Sequence, residues 1–227
     1  MNTLSFASFI VGGLVGTIGT SLAAFAGAAF IGLMLNLAST GTRTGVVQAI
    51  RVYIVLFRSL PEILCVFIAY YGFDILLSWM TGKFDLAPVT ISPFVAVTTA
   101  LAIQFGAYCA EIFGDARRSV HPGLIEAAAA LGMTETRVAL RVTIPLMVRA
   151  AIPGLGNLFL VILKVSALAS VIGLEEVTRR AKIVAGATRE PFAAYAIAAL
   201  CFLAVAALAT LVLHRLHGRF HDAARGA

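Results

Sequence analysis

Five apolar runs, each about as long as a helix needs to cross a bilayer, constrain this chain more than any other feature. Crossing the hydrocarbon core takes roughly 20 residues of helix. The runs cover about residues 9–38, 62–80, 92–113, 142–172 and 192–213. Of the 227 residues, 60% are hydrophobic and only 12% are charged. That is too few charges to coat a water-soluble protein of this size, and the mean hydropathy of +0.97 agrees. The expected fold class is all-α: a polytopic membrane protein of about five transmembrane helices, one transmembrane domain over residues 1–227.

The formal net charge is +6. The basic residues occupy the connectors and form no face, which argues against nucleic acid and for loops held in the cytoplasm. With the amino terminus outside, Arg43, Arg51, Arg58, Arg117, Arg118, Arg137, Arg141, Arg149, Arg215, Arg219 and Arg225 fall inside. Those eleven face five on the other side: Lys83, Arg179, Arg180, Lys182 and Arg189. The expectation is a periplasmic amino terminus and a cytoplasmic carboxyl terminus. The charged segment 175–190 puts four positives outside, and part of it is expected to fold back onto the protein. The first basic residue is Arg43, so the charged start of a signal peptide is missing and the first run is expected to stay as a span.

Breakers shape the runs. Pro61 disfavours α geometry at Leu60, so a kink or a helix start belongs there. The fourth run holds Pro145, Pro153, Gly154 and Gly156 and is expected to be bent or broken. Gly12 and Gly16 have the spacing that lets helices approach closely, read first as packing within the chain. Cys65, Cys109 and Cys201 lie in apolar runs without ligand spacing and read as small buried hydrophobes. His121, His214, His217 and His221 lie in a connector or the tail, and no metal site is expected.

Polar residues within spans are costly and mark pathways or helix contacts. Gln104, Tyr108 and Glu111 share one face of the third span. Gln104 and Tyr108 either line a solute path or hydrogen-bond a neighbouring helix, and Glu111 is placed to pair with Arg58 or Arg117. Glu62 either caps its helix or faces the path. Asn157 and Lys164 share a face of the fourth span. Lys164 has three options: a solute carboxylate, snorkelling, or a pair with Glu175 or Glu176. No Ser/His/Asp set, carboxylate pair or cysteine with a base is present, so no catalytic residue is expected.

The connector over about 114–141 carries the most specific signal. Residues 126–133 are rich in helix-forming alanine. A short, smooth helix there suits docking into a partner's groove. Glu126, near the expected helix start, is favourable with the dipole or pairs with a basic partner, and Gly132 permits a sharp turn at the end.

Glu126-Ala127-Ala128, three more residues and Gly132 resemble the EAA loop of ABC importer permeases. Tyr53, 57–61 and 107–113 upstream are similar to polar amino acid permeases of that class. So are Ile144-Pro145, Arg149, Pro153, Asn157 and 164–173 downstream. The resemblance covers about residues 12–213. Leu124 stands where Gln is usual, and Val165 and Ser166 replace the Asp-Thr that commonly follows the lysine.

The resemblance implies a type I permease fold with a cytoplasmic coupling helix contributed by Glu126, Ala127, Ala128, Leu131 and Gly132. It implies two ATP-binding subunits that hold ATP and Mg, and a periplasmic solute-binding protein. It further implies a second permease subunit, identical or homologous, and a place in the bacterial inner membrane. The solute would be a polar amino acid or a derivative such as an opine, and the candidate path residues are Glu62, Gln104, Tyr108, Asn157 and Lys164. The chain has no Gly-x-x-x-x-Gly-Lys-Ser/Thr loop, so the ATPase is expected on a separate chain. The rivals are a permease for another small solute, an ion-gradient transporter, which needs no docking helix, and a scaffold, which needs no broken polar spans.

Overall fold

Glycines, prolines and polar turns divide the apolar runs into ten α-helices among the residues that the computed structural model describes: 3–40, 44–83 and 91–225, with side chains for 5–40, 44–83 and 91–215. Arg43, Asp85 and Pro88 lie outside the described residues, as do the side chains of His217, Arg219, His221 and Arg225.

The helices are α1 (Thr3–Val11), α2 (Leu14–Ala38), α3 (Thr44–Ser59), α4 (Glu62–Lys83), α5 (Pro93–Arg118), α6 (Pro122–Ala130), α7 (Glu135–Val138), α8 (Ile144–Val165), α9 (Val177–Thr188) and α10 (Pro191–Arg225). A π-turn over Ala139–Thr143 joins α7 to α8, and a 3₁₀ segment over Ser166–Ile172 extends α8. Among the described residues, five helical stretches are long and apolar enough to span a membrane: Ser5–Ala38, Glu62–Lys83, Pro93–Arg118, Glu135–Ile172 and Pro191–Arg215.

Two expected spans differ in detail. The first starts before residue 9 and is interrupted at Gly12-Gly13. There the Gly13 N–H bonds to the Ile10 carbonyl at 2.9 Å rather than one residue further back. The fourth becomes helical at Glu135 rather than 142. Its π-turn lies where Pro145, lacking an N–H, leaves the Arg141 carbonyl without its helical donor.

Helix α5 is the hub, the most buried of the five spans. Helix α2 runs along it over small side chains, so the two backbones approach closely. A Cβ at Gly32 would collide with the Cβ of Cys109, and it would sit 2.7 Å from the Ala110 nitrogen. Lipid tails are as apolar as the side chains, so this close packing holds the helices together in a bilayer. Leu101, Phe105, Met147 and Ile162 fill the core between α5 and α8, and Phe25 of α2 meets Phe159 of α8 edge-on at 5.4 Å.

A second cluster joins α1, α9 and α10 through Ile10, Val177, Ala181, Val184, Ala194, Ala198 and Cys201. The charged segment 175–190 therefore folds back onto the protein. Its anchor is Glu176, which has no exposed surface. The Glu176 carboxylate caps α9, accepting from Thr178 N at 2.9 Å and Arg179 N at 2.7 Å. The Thr17 hydroxyl donates to it from α2 at 3.3 Å. Gly13 and Gly16 let this corner close, because Cβ atoms there would strike the backbone of residues 175–177.

Helices α4 and α10 leave Ile68, Ile75, Trp79, Leu200, Leu203 and Leu211 exposed. Such surfaces suit hydrocarbon or the helices of another subunit.

Candidate coupling helix and solute path

The short helix of the third connector forms, but four residues earlier than the alanine run suggests. Pro122 takes the first helical position, where its missing N–H costs nothing, and His121 caps the end, its Nδ1 accepting from Gly123 N at 3.1 Å. Glu126 therefore lies in the second turn, away from the positive end of the dipole. The expected dipole role is corrected, because the His121-Pro122 cap outweighs alanine propensity in setting the start.

The far end closes with the reciprocal bonds of a glycine-terminated helix. Met133 N bonds to Ala128 O at 3.2 Å and Gly132 N to Ala129 O at 2.9 Å. Gly132 has φ +80°, the left-handed region that a side chain disfavours. Beyond Ala130, Leu131 projects with 83% of its surface exposed. Glu126 and Ala127 are exposed too, while Ala128 is buried and seats the helix on the body. The outcome is a rigid, apolar, protruding turn with one carboxylate on it. A cavity of about 490 Å³ lies beside it, lined by Ile125, Ala129, Met133 and Glu135 together with Asn36 and Arg117.

The polar face of α5 is engaged within the chain. Gln104 is fully buried, and its Nε2 donates to the carbonyls of Leu60 at 2.8 Å and Phe57 at 3.4 Å. Pro61 has no N–H to offer Phe57, and the break between α3 and α4 strands Leu60, so Gln104 supplies the missing donor. Arg58 completes the clamp: it pairs with Glu111, and its guanidinium lies 5.1 Å from the Tyr108 ring centre. Of the two roles open to Gln104, the interhelical hydrogen bond is the one observed. Its path role is corrected, since a side chain without exposed surface lines nothing in this conformation. Tyr108 is half-buried against Phe105.

The other candidates stay open. Glu62 is the first residue of α4, partly exposed, where the helix dipole favours a carboxylate. Asn157 and Lys164 are both exposed on α8. Lys164 does not pair with the neighbouring acids: Glu175 bonds Arg180 at 3.3 Å, and Glu176 is consumed by its cap. Asn157 lines a shallow cavity of about 270 Å³ with Pro153, Thr210 and His214.

Sequence reasoning passed over Asp74. It is exposed about midway along α4 and has no hydrogen-bond or ion-pair partner among the described residues. Its signal was plain, an acid inside an apolar run, but no motif surrounds it. Glu176 was seen as a charge and not as a cap, because only the fold brings Thr17 to it.

Residues 29–222 match the family model described as the binding-protein-dependent transport system inner membrane component. The chain belongs to this family. It is 33% identical over 215 residues to the histidine/lysine/arginine/ornithine transport system permease protein HisQ of Salmonella typhimurium, covering 95% of this chain and 94% of that protein. It is 34% identical over 173 residues to the octopine transport system permease protein OccQ of Rhizobium radiobacter, covering 75% and 73%. Among solved structures, that of an amino acid ABC transporter with histidines superposes with a TM-score of 0.82 at 30% identity, covering 96% of this chain and 99% of that one. This permease is thus an ABC-transporter membrane subunit with the all-α fold of its class.

Proposed function

We propose that this permease is half of the membrane path of an ATP-driven importer that carries polar amino acids or their derivatives, opines included, into the cytoplasm. The observation that carries the reading is α6: a capped, glycine-terminated helix that projects Leu131 and Glu126 from an otherwise membrane-embedded body. Glu126, Ala127, Leu131 and Gly132 seat in a cleft of a separate ATP-binding subunit, where ATP and Mg are held, while Ala128, expected to join them, packs on the permease body instead. Closure of two such subunits moves two permease subunits between inward-open and outward-open states. The second permease is identical or homologous, and a periplasmic solute-binding protein delivers the cargo. The amino terminus is periplasmic and the carboxyl terminus cytoplasmic, which puts α6 on the ATPase side.

The substrate class rests on the relatives, whose names specify basic amino acids and octopine. In-span exposed polar groups support it. Glu62 and Asp74 can meet an ammonium or guanidinium group, and Lys164 and Asn157 can meet a carboxylate. The test is a competition profile. Uptake of radiolabelled arginine by cells carrying the whole system should be competed by histidine, ornithine or octopine, and not by sugars or dipeptides. Competition by sugars alone, or by none of these solutes, would reassign the cargo.

A further inference from the structure

On the α6 side of the molecule, a cavity of about 530 Å³ opens between α2, α3 and α5. Its lining is divided. Leu35, Val47, Ile50 and Ile54 form an apolar wall, and Arg51, Arg117 and Arg118 bring guanidinium groups to the same space. The two carboxylates that also line it are already taken. Glu111 pairs with Arg58, which stands outside the cavity, and Asp115 pairs with Arg118. Arg51 and Arg117 have no carboxylate partner among the described residues, so the cavity carries an uncompensated positive field.

A second, independent feature points the same way. Asn36 lines this cavity and is only 6% exposed, yet its Oδ1 has no hydrogen-bond partner among the described residues. The two ends of an amide are interchangeable by a flip, so the side chain can offer either N–H donors or an acceptor. Asn36 and Arg117 stand on the wall this cavity shares with the one beside α6, and a buried amide oxygen without a partner among the described residues can complete a polar binding site there.

We propose that this cavity holds the phosphate of an anionic phospholipid headgroup from the leaflet that faces the ATPase. Arg51 and Arg117 neutralise the phosphate and Asn36 hydrogen-bonds to the headgroup. The apolar wall takes the first carbons of the acyl chains, for which a soluble phosphate has no use. Basic pockets between membrane helices bind anionic headgroups in this manner. The assignment of the leaflet rests on the coupling role of α6; the binding itself does not.

The test uses the whole solubilised transporter, stripped of lipid and titrated in native mass spectrometry. Phosphatidylglycerol and phosphatidylcholine of equal chain length are compared. The expected result is one phosphatidylglycerol retained per permease chain, roughly thirtyfold tighter than phosphatidylcholine if each arginine contributes the usual surface-charge increment. Arg51→Gln with Arg117→Gln should remove that preference. Arg51→Lys with Arg117→Lys should keep most of it, which separates lost charge from lost folding. Equal retention of the two lipids by the unaltered transporter would overturn the proposal. So would displacement of the lipid by millimolar inorganic phosphate, which would assign the cavity to a soluble anion. Lipid bound only after removal of the ATPase would give the cavity to that subunit and overturn it as well.

Discussion

Gln104 of α5 donates its amide Nε2 to the carbonyl of Leu60 at 2.8 Å, directly before the proline that separates α3 from α4. One side chain thus repairs the backbone that Pro61 interrupts. Replacing it with leucine keeps the volume and takes this donor from the part-buried carbonyls of Leu60 and Phe57. Gln104→Leu should lower stability by about 1–3 kcal/mol. A thermal melt in detergent measures this, and the KM of the folded fraction should be unchanged. A changed KM with an unchanged melt would return Gln104 to the solute path.

The turn that ends α6 is the second target. Gly132 sits at φ +80° and nothing lies within 4 Å of a Cβ added there, so a substitution meets backbone strain and no clash. That strain is about 1–2 kcal/mol, local to an exposed turn. Gly132→Asp and Glu126→Lys should leave membrane insertion intact and abolish ATP-driven uptake. Normal uptake by both variants would remove α6 from the coupling role.

The Glu176 corner makes a pH prediction. Burial pushes the Glu176 carboxyl above the usual carboxylate range, outweighing the bonds from Thr178, Arg179 and Thr17 that pull it down. The folded state therefore holds this proton more tightly than the unfolded state does. Its contribution to stability is complete below the unfolded value and is lost as pH rises through the folded one. Compared with Glu176→Gln, the unaltered protein should gain melting temperature as pH falls from neutral toward 5. Parallel pH profiles would contradict the shift.

The in-span charges discriminate lipid from path. An acid facing hydrocarbon near mid-span costs about 2.5–3.5 kcal/mol on insertion scales. If Asp74 faces lipid, Asp74→Asn should raise the melting temperature and leave uptake alone. If Asp74 meets the solute, Asp74→Asn should change melting little and raise the KM for cationic solutes about tenfold. Lys164→Ala should raise KM similarly for any solute bearing a carboxylate.

How much of this was legible in the sequence follows from which forces are local. Spans were legible because bilayer thickness fixes their length, and the elbow at Pro61 because proline acts on its own neighbours. The EAA spacing placed α6 in the correct connector. Its start lies four residues before the alanine run because a cap set by two residues, His121-Pro122, outweighs alanine propensity. The role of Gln104 was undecidable from periodicity, which gives the face of α5 but not what packs on it. The Thr17–Glu176 bond joins residues 159 apart in sequence, and no pattern announces such a pair. Asp74 was legible and was overlooked, because it stands outside every motif.

If α6 is the coupling helix, this permease works only with an ATPase that α6 engages. The direct measurement is to isolate the tagged chain from its native membrane in mild detergent, quantify its companions, and reconstitute the isolate in liposomes. The expected isolate holds an ATP-binding subunit at about one per permease chain, and its uptake requires ATP on the ATPase side together with the binding protein. A chain that emerges alone and moves solute on an ion gradient would contradict it.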